Sequence, residues 1–148
     1  MPLRIATIED LNVILELRLK MLEEVAGNLP EQLPSAIYDY LNNHLNDGSC
    51  LCALFENDGQ IVAKAMLCIY DVMPDEVNIC GKCATLFSVY TLPNYRGHGY
   101  MQELLLYLLE CAKEKGIQKV FASAEKKAIP LYTRIGFTLK NNEMGLTL

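Results

Sequence analysis

The chain has 148 residues, 51% hydrophobic and 21% charged, with a formal net charge of −5. That length and composition suit one compact domain over residues 1–148 and exclude a disordered or low-complexity chain. Net acidity argues against nucleic acid as a partner, and no apolar run approaches the roughly 20 residues that span a bilayer, so no membrane association is expected.

The opening residues soon give way to acids and do not read as a signal peptide, so a cytoplasmic location is expected. A short strand is predicted over residues 3–6. Thr7 with Asp10 three positions on has the capping-box pattern, and a helix follows with Leu11, Ile14, Leu15, Leu22 and Val25 spaced for one buried face. Gly27 and Pro30 end it. A second amphipathic helix is predicted over residues 35–45, closed by Asn46, Asp47 and Gly48. A meander comes next: a strand at 51–56, a tight turn at Asn57, Asp58 and Gly59, a long strand at 61–71, an acidic loop at 73–81, and a strand at 82–91 that Pro93 stops. The pattern then switches to a helix over 99–115, with Leu104, Leu105, Leu108, Leu109 and Ala112 facing inward and Gly116 as the stop. A short strand at 119–122, a short helix at 127–135 ending at Gly136, and two terminal strands complete the prediction. An antiparallel meander followed by β-α-β gives an α/β class with a mixed, mostly antiparallel sheet and helices on both faces.

Six cysteines in a chain without an export signal read as free thiols. Cys80 and Cys83 have metal-ligand spacing, and Cys50 with Cys52 would make four sulfurs. Yet Cys50 and Cys52 sit in an apolar strand, where cysteine packs as a small hydrophobe, and no second Cys-x-x-Cys or His pair supports zinc. No metal is expected. Charge is uneven along the chain: residues 1–95 sum to −8 and residues 96–148 to +3. That asymmetry fits an enzyme joining a cationic substrate to an anionic one, and equally an uneven surface.

The most informative segment runs from Val89 to Met101. A strand ends at Pro93, and Arg96, Gly97, His98 and Gly99 lead straight into a helix. Helix N-termini expose unpaired N–H groups and bind phosphates, and glycines let backbone approach a ligand closely. A Gly-x-Gly turn alone is equally a plain connection. This one is followed about thirty residues later by Ala128, Tyr132, Gly136 and Phe137. The stretch from Arg96 to Met101 resembles the GNAT acetyltransferase signature Arg/Gln-x-x-Gly-x-Gly/Ala, and Ala128 to Phe137 resembles the second motif of that family, Ala-x-x-x-Tyr-x-x-x-Gly-Phe.

The resemblance implies a splayed sheet and an N-acetyltransferase that uses acetyl-CoA as co-substrate. Backbone N–H groups of Arg96, Gly97, His98, Gly99, Tyr100 and Met101 would hold the pyrophosphate, with Arg96 adding charge. Main-chain groups of Val89, Tyr90 and Thr91 would pair with the pantetheine arm like an added strand. Tyr132 would serve the departing sulfur as the catalytic residue. Met101 departs from the family Gly or Ala and crowds the helix start, while Glu125 stands where many members have Asn and receives no assignment. The implied chemistry is direct attack of a neutral primary amine on the thioester, with a strand N–H near Val89 or Tyr90 polarising the carbonyl. The acceptor is a small-molecule amine or a peptide amine, and a homodimer is compatible. No general base is visible: His98 lies in the turn, His44 on the second helix, and Glu23, Glu24, Asp71, Asp75 and Glu76 each read equally as solvated charges. A covalent acyl-cysteine would need a base beside a thiol. The rival reading is a non-catalytic acyl-CoA-binding or regulatory module on the same fold.

Overall fold

The structure is a computed structural model that describes residues 2–148. Five strands form one sheet in the order β1-β2-β3-β4-β5, with β1 Leu3–Ile5, β2 Cys50–Asn57, β3 Gln60–Asp71, β4 Lys82–Thr91 and β5 Lys119–Ala122. The first four are antiparallel neighbours and β5 runs parallel to β4, as the crossover through helix α3 (Tyr100–Glu114) requires. Helices α1 (Leu11–Ala26) and α2 (Leu33–Asp47) cover one face, while α3 and the short α4 (Ile129–Arg134) lie on the other. This is the expected mixed sheet with helices on both faces.

Strand periodicity sorts the core. On β2, Leu51, Ala53 and Phe55 pack with Leu104, Leu105 and Leu108 of α3. The alternate positions Cys50, Cys52 and Leu54 join Ile14 and Leu41 beneath α1 and α2. Thr7 caps the entry to α1: its Oγ1 accepts from the Glu9 N–H, and Asp10 accepts from the Thr7 N–H while forming a bidentate pair with Arg4 at 2.9 Å.

Two expectations are corrected. Val25 is 71% exposed, and the buried positions of α1 are Leu11, Ile14 and Leu17. The inward stripe follows 14, 17, 21 and 24, so the last turn points Glu24, not Val25, back toward the sheet. The two terminal strands are absent among the described residues. The Phe137 N–H bonds back to the Tyr132 carbonyl, and residues 138–148 make no ladder with the four-residue β5. Asn141, Asn142 and Glu143 interrupt that stretch with poor strand formers, and Leu139, Met144, Leu146 and Leu148 are left exposed.

The loop from β3 to β4 closes on a buried Asn78. Its Nδ2 donates to the Lys82 carbonyl at 3.1 Å and its Oδ1 accepts from the Gly81 N–H at 3.1 Å. Gly81 has φ +72°, and a Cβ there would sit 2.4 Å from the Val72 carbonyl oxygen. Gly81→Ala is therefore expected to cost about 2 kcal/mol or more and to lower Tm by roughly 4–8 °C, measured by thermal unfolding. An unchanged midpoint would show that the loop relocates at no cost.

Candidate functional site

The sheet opens at β4. Its ladder with β5 has four pairs, from Cys83 opposite Lys119 to Leu86 opposite Ala122, and from Phe87 to Thr91 the β5-side edge has no strand partner. The opening coincides with a bulge. Lys64 pairs with Tyr90 and Met66 with Phe87, so Ser88 and Val89 together oppose Ala65, and Ser88 takes φ +54°. The extra residue splits the side chains. Val89 turns to the α3 face of the core, whereas the Tyr90 hydroxyl reaches Glu24 on α1.

Beyond Thr91 the chain leaves the sheet through a short turn over Pro93–Tyr95 and enters α3. Gly97 and Gly99 both have φ +79°, a conformation that L side chains rarely adopt. A Cβ at either would meet nothing within 4 Å, so it is the backbone conformation, not crowding by the protein, that demands glycine. The N–H groups of Gly97, His98, Gly99, Tyr100 and Met101 have no acceptor among the described residues. Met101 packs its side chain against the core. Tyr100 stacks on Phe55 at 4.4 Å, His98 stacks on Tyr100 at 5.4 Å, and His98 Nδ1 lies 3.2 Å from the Tyr95 carbonyl. These rings brace the turn from the side and leave its amides open.

Arg96 is anchored rather than free. Its Nε donates to the Thr91 carbonyl at 2.8 Å, its Nη2 donates to Glu24 at 2.9 Å, and its guanidinium lies 5.4 Å over the Tyr90 ring. The Thr91 carbonyl is thus already engaged, and the main-chain groups of Tyr90 face Lys64 of β3, which leaves Val89 on the open edge. Tyr90 and Arg96 together hold the Glu24 carboxyl below its ordinary range. Burial, then Glu24 itself, pushes the Tyr90 hydroxyl up to about 12.

Tyr132 lies on α4 and is 8% exposed, its ring 5.5 Å from that of Phe137. It belongs to the same apolar cluster as Leu104, Leu105 and Leu108, with Val89 packed against that cluster. Burial, then Glu125, raises its pKa, and its hydroxyl has no hydrogen-bond partner among the described residues. It borders an open groove of about 890 Å³ with Thr85, Leu109 and Phe121. The residues of the glycine turn do not line that groove. What joins the two regions is the packing of α4 on α3, where Arg134 Nε donates to Gln102 at 3.3 Å.

On the opposite face a smaller cavity of about 280 Å³ lies under α1 and α2, and Phe87 and Ser88 of the bulge form part of its wall. Behind it sits Lys64, wholly buried, with Nζ donating to the Ser88 carbonyl at 3.0 Å and to the Ser88 hydroxyl. Burial lowers its pKa to about 8, and the neighbouring Arg18 works in the same direction. The sequence reading passed over Lys64, Ser88 and Arg18. A single charge inside the otherwise apolar run 61–70 was the signal available for Lys64.

The remaining candidates separate. His44 stacks on Tyr40 at 4.2 Å and lies 2.5 Å from the Ser49 hydroxyl, and neither histidine contacts a thiol. Asp75 accepts from the Val77 and Asn78 N–H groups and so shapes its own loop. All six cysteines are free, burial pushes Cys50 and Cys52 up to about 12, and no cluster of three or more metal-binding side chains occurs among the described residues.

Comparison with known proteins adds a second line. The family model described as "Acetyltransferase (GNAT) family" matches residues 15–137. A glucosamine 6-phosphate N-acetyltransferase of Trypanosoma brucei brucei is 27% identical over 147 residues, covering 91% of this chain and 98% of that protein. A predicted acetyltransferase of Clostridium acetobutylicum, crystallised with acetyl-CoA, is 27% identical with a TM-score of 0.88, covering 98% of this chain and 94% of that one. A GCN5-related N-acetyltransferase from Ralstonia eutropha JMP134 shares the fold at a TM-score of 0.83 and 24% identity, covering 99% of this chain and 97% of its own.

Proposed function

From the premise that the chain belongs to the acetyltransferase (GNAT) family, we propose that it moves an acetyl group from acetyl-CoA to a primary amine by direct attack within a ternary complex. The observation that carries this reading is the run of unpaired amides from Gly97 to Met101 at the start of α3. Five donors without a protein acceptor beside a helix N-terminus suit a diphosphate, with Arg96 close by. The bare edge of β4 then receives the pantetheine arm as a strand would, through those main-chain groups from Val89 to Thr91 that point away from β3. An N–H of that edge polarises the thioester carbonyl, and Tyr132 donates a hydrogen bond to the departing sulfur. The amine enters from the cavity beneath α1 and α2, which meets the same bulge from the other face. The free thiols suit a reducing compartment such as the cytoplasm.

Amine-dependent release of coenzyme A thiol tests this function directly. Thermal stabilisation by coenzyme A without release on any amine would make the chain a binding module instead. Gly99→Val is expected to raise KM for acetyl-CoA about 10-fold or more with a much smaller change in kcat, because a β-branched residue resists φ +79° and turns the amides away. An unchanged KM would remove the turn from the co-substrate site.

A further inference from the structure

Resting on the reading above, we propose that the cavity beneath α1 and α2 selects an acceptor amine that also carries an oxyanion, carboxylate or phosphate, and that Arg18 grips that group. Arg18 is the one charged residue in the cavity wall. Its guanidinium lies 5.8 Å over the Phe87 ring, and among the described residues it forms no hydrogen bond or ion pair with the protein. The second cation of this region, Lys64, is bonded only to Ser88 and has no carboxylate partner either. Arg18 thus stands without a counter-ion in a wall that is otherwise uncharged, with Ile37, Tyr40, Met66 and Cys68 among its residues, and Lys64 behind the wall adds positive charge rather than compensating it. In a chain of net charge −5, that local excess is directional.

The arrangement excludes as well as admits. A polyamine or a lysine-rich peptide would bring like charge against Arg18 in a poorly hydrated space. At about 280 Å³ the cavity lies at the lower end of small-molecule sites, roughly 300–1,000 Å³, and suits a compact metabolite rather than a peptide. A guanidinium stacked on an aromatic ring and free of other partners can meet two oxygens at once. With its anion on Arg18, the bound molecule can direct its amine along the wall to Ser88, next to the open edge at Val89.

The test pairs acceptors that differ only in charge: an amino sugar with and without a phosphate, and an amino acid with its amide. Wild-type protein should prefer the anionic member of at least one pair by about 10- to 100-fold in kcat/KM, and the pair that shows it identifies phosphate or carboxylate. Arg18→Met should abolish the preference, chiefly by raising KM for the anionic member, and Arg18→Lys should restore part of it. Thermal shifts with the same four compounds at saturating coenzyme A give a readout independent of turnover and of the variants. There the anionic member should stabilise wild type more than its neutral twin. Equal behaviour of charged and neutral members in both measurements overturns the proposal, as does a loss in Arg18→Met that is the same for both. Absence of turnover on every amine would strike the catalytic reading alone, because the binding arm still discriminates.

Discussion

Tyr132→Phe is expected to lower acetyl transfer by about 10²-fold or somewhat more while coenzyme A binding stays within a factor of two. The substitution is clean because the ring packs against Phe137 and the α3 leucines, and phenylalanine keeps all of that packing. Only the hydroxyl is removed. Burial and then Glu125 raise the Tyr132 pKa beyond that of an ordinary tyrosine, which already lies above the roughly 8.5 of a thiol. Complete proton transfer is therefore uphill, and the hydroxyl stabilises the leaving sulfur by a hydrogen bond. The rate profile should accordingly show no loss attributable to Tyr132 ionisation across the neutral to mildly alkaline range. Measuring amine-dependent thiol release beside a thermal shift with coenzyme A separates the two effects. Transfer within twofold of wild type would reduce Tyr132 to a packing residue.

The second large effect concerns stability. Lys64 is wholly buried and its folded pKa of about 8 lies below its ordinary 10.5. Between those values the unfolded chain binds the proton and the folded chain does not, so raising the pH favours folding. Below pH 8 both states are protonated and the folded state bears the cost of a buried charge. From pH 7 to 10.5, the stability of wild type minus that of Lys64→Met should rise by about 3 kcal/mol. The difference is the quantity to measure. Cys50 and Cys52, held up to about 12 from an ordinary 9.0, pull the other way above pH 9 in both proteins. Burial dominates both thiols and is common to the two proteins, so the difference reduces that contribution, Lys64 itself being a smaller influence on each. The change with pH is free of the pH-independent loss of the Ser88 bonds. Urea unfolding across this range checks it, and a flat difference would mean that Lys64 reaches water.

Much of this architecture was legible because local rules settle it. The strands at 82–91 and 119–122 ended where Pro93 and the flanking turns said they would, and Gly48 closes α2 in a left-handed conformation. The glycine turn announced itself through two glycines two residues apart, and both adopt positive φ in the structure. What escaped reading depends on contacts between distant parts of the chain. Glu24 and Arg96 are 72 positions apart, and only the fold brings the end of α1 to the turn. The bulge at Ser88 leaves no mark in a strand of ordinary composition, yet it decides which residues of β4 face which layer. The terminal strands failed for a related reason. A stretch with strand-like residues needs a ladder to join, and propensity alone does not supply one.

The early end of the β4–β5 ladder also bears on solubility. Most proteins hide or charge their outermost strands to prevent other molecules from annealing to them. Here the vacant hydrogen-bonding groups begin only after the four pairs with β5 and span no more than Phe87 to Thr91. An edge that short can receive a single slim filament along its length but offers little for the long border of another sheet to anneal to. The protein can thus keep adhesive backbone exposed for a guest without becoming adhesive toward its own kind.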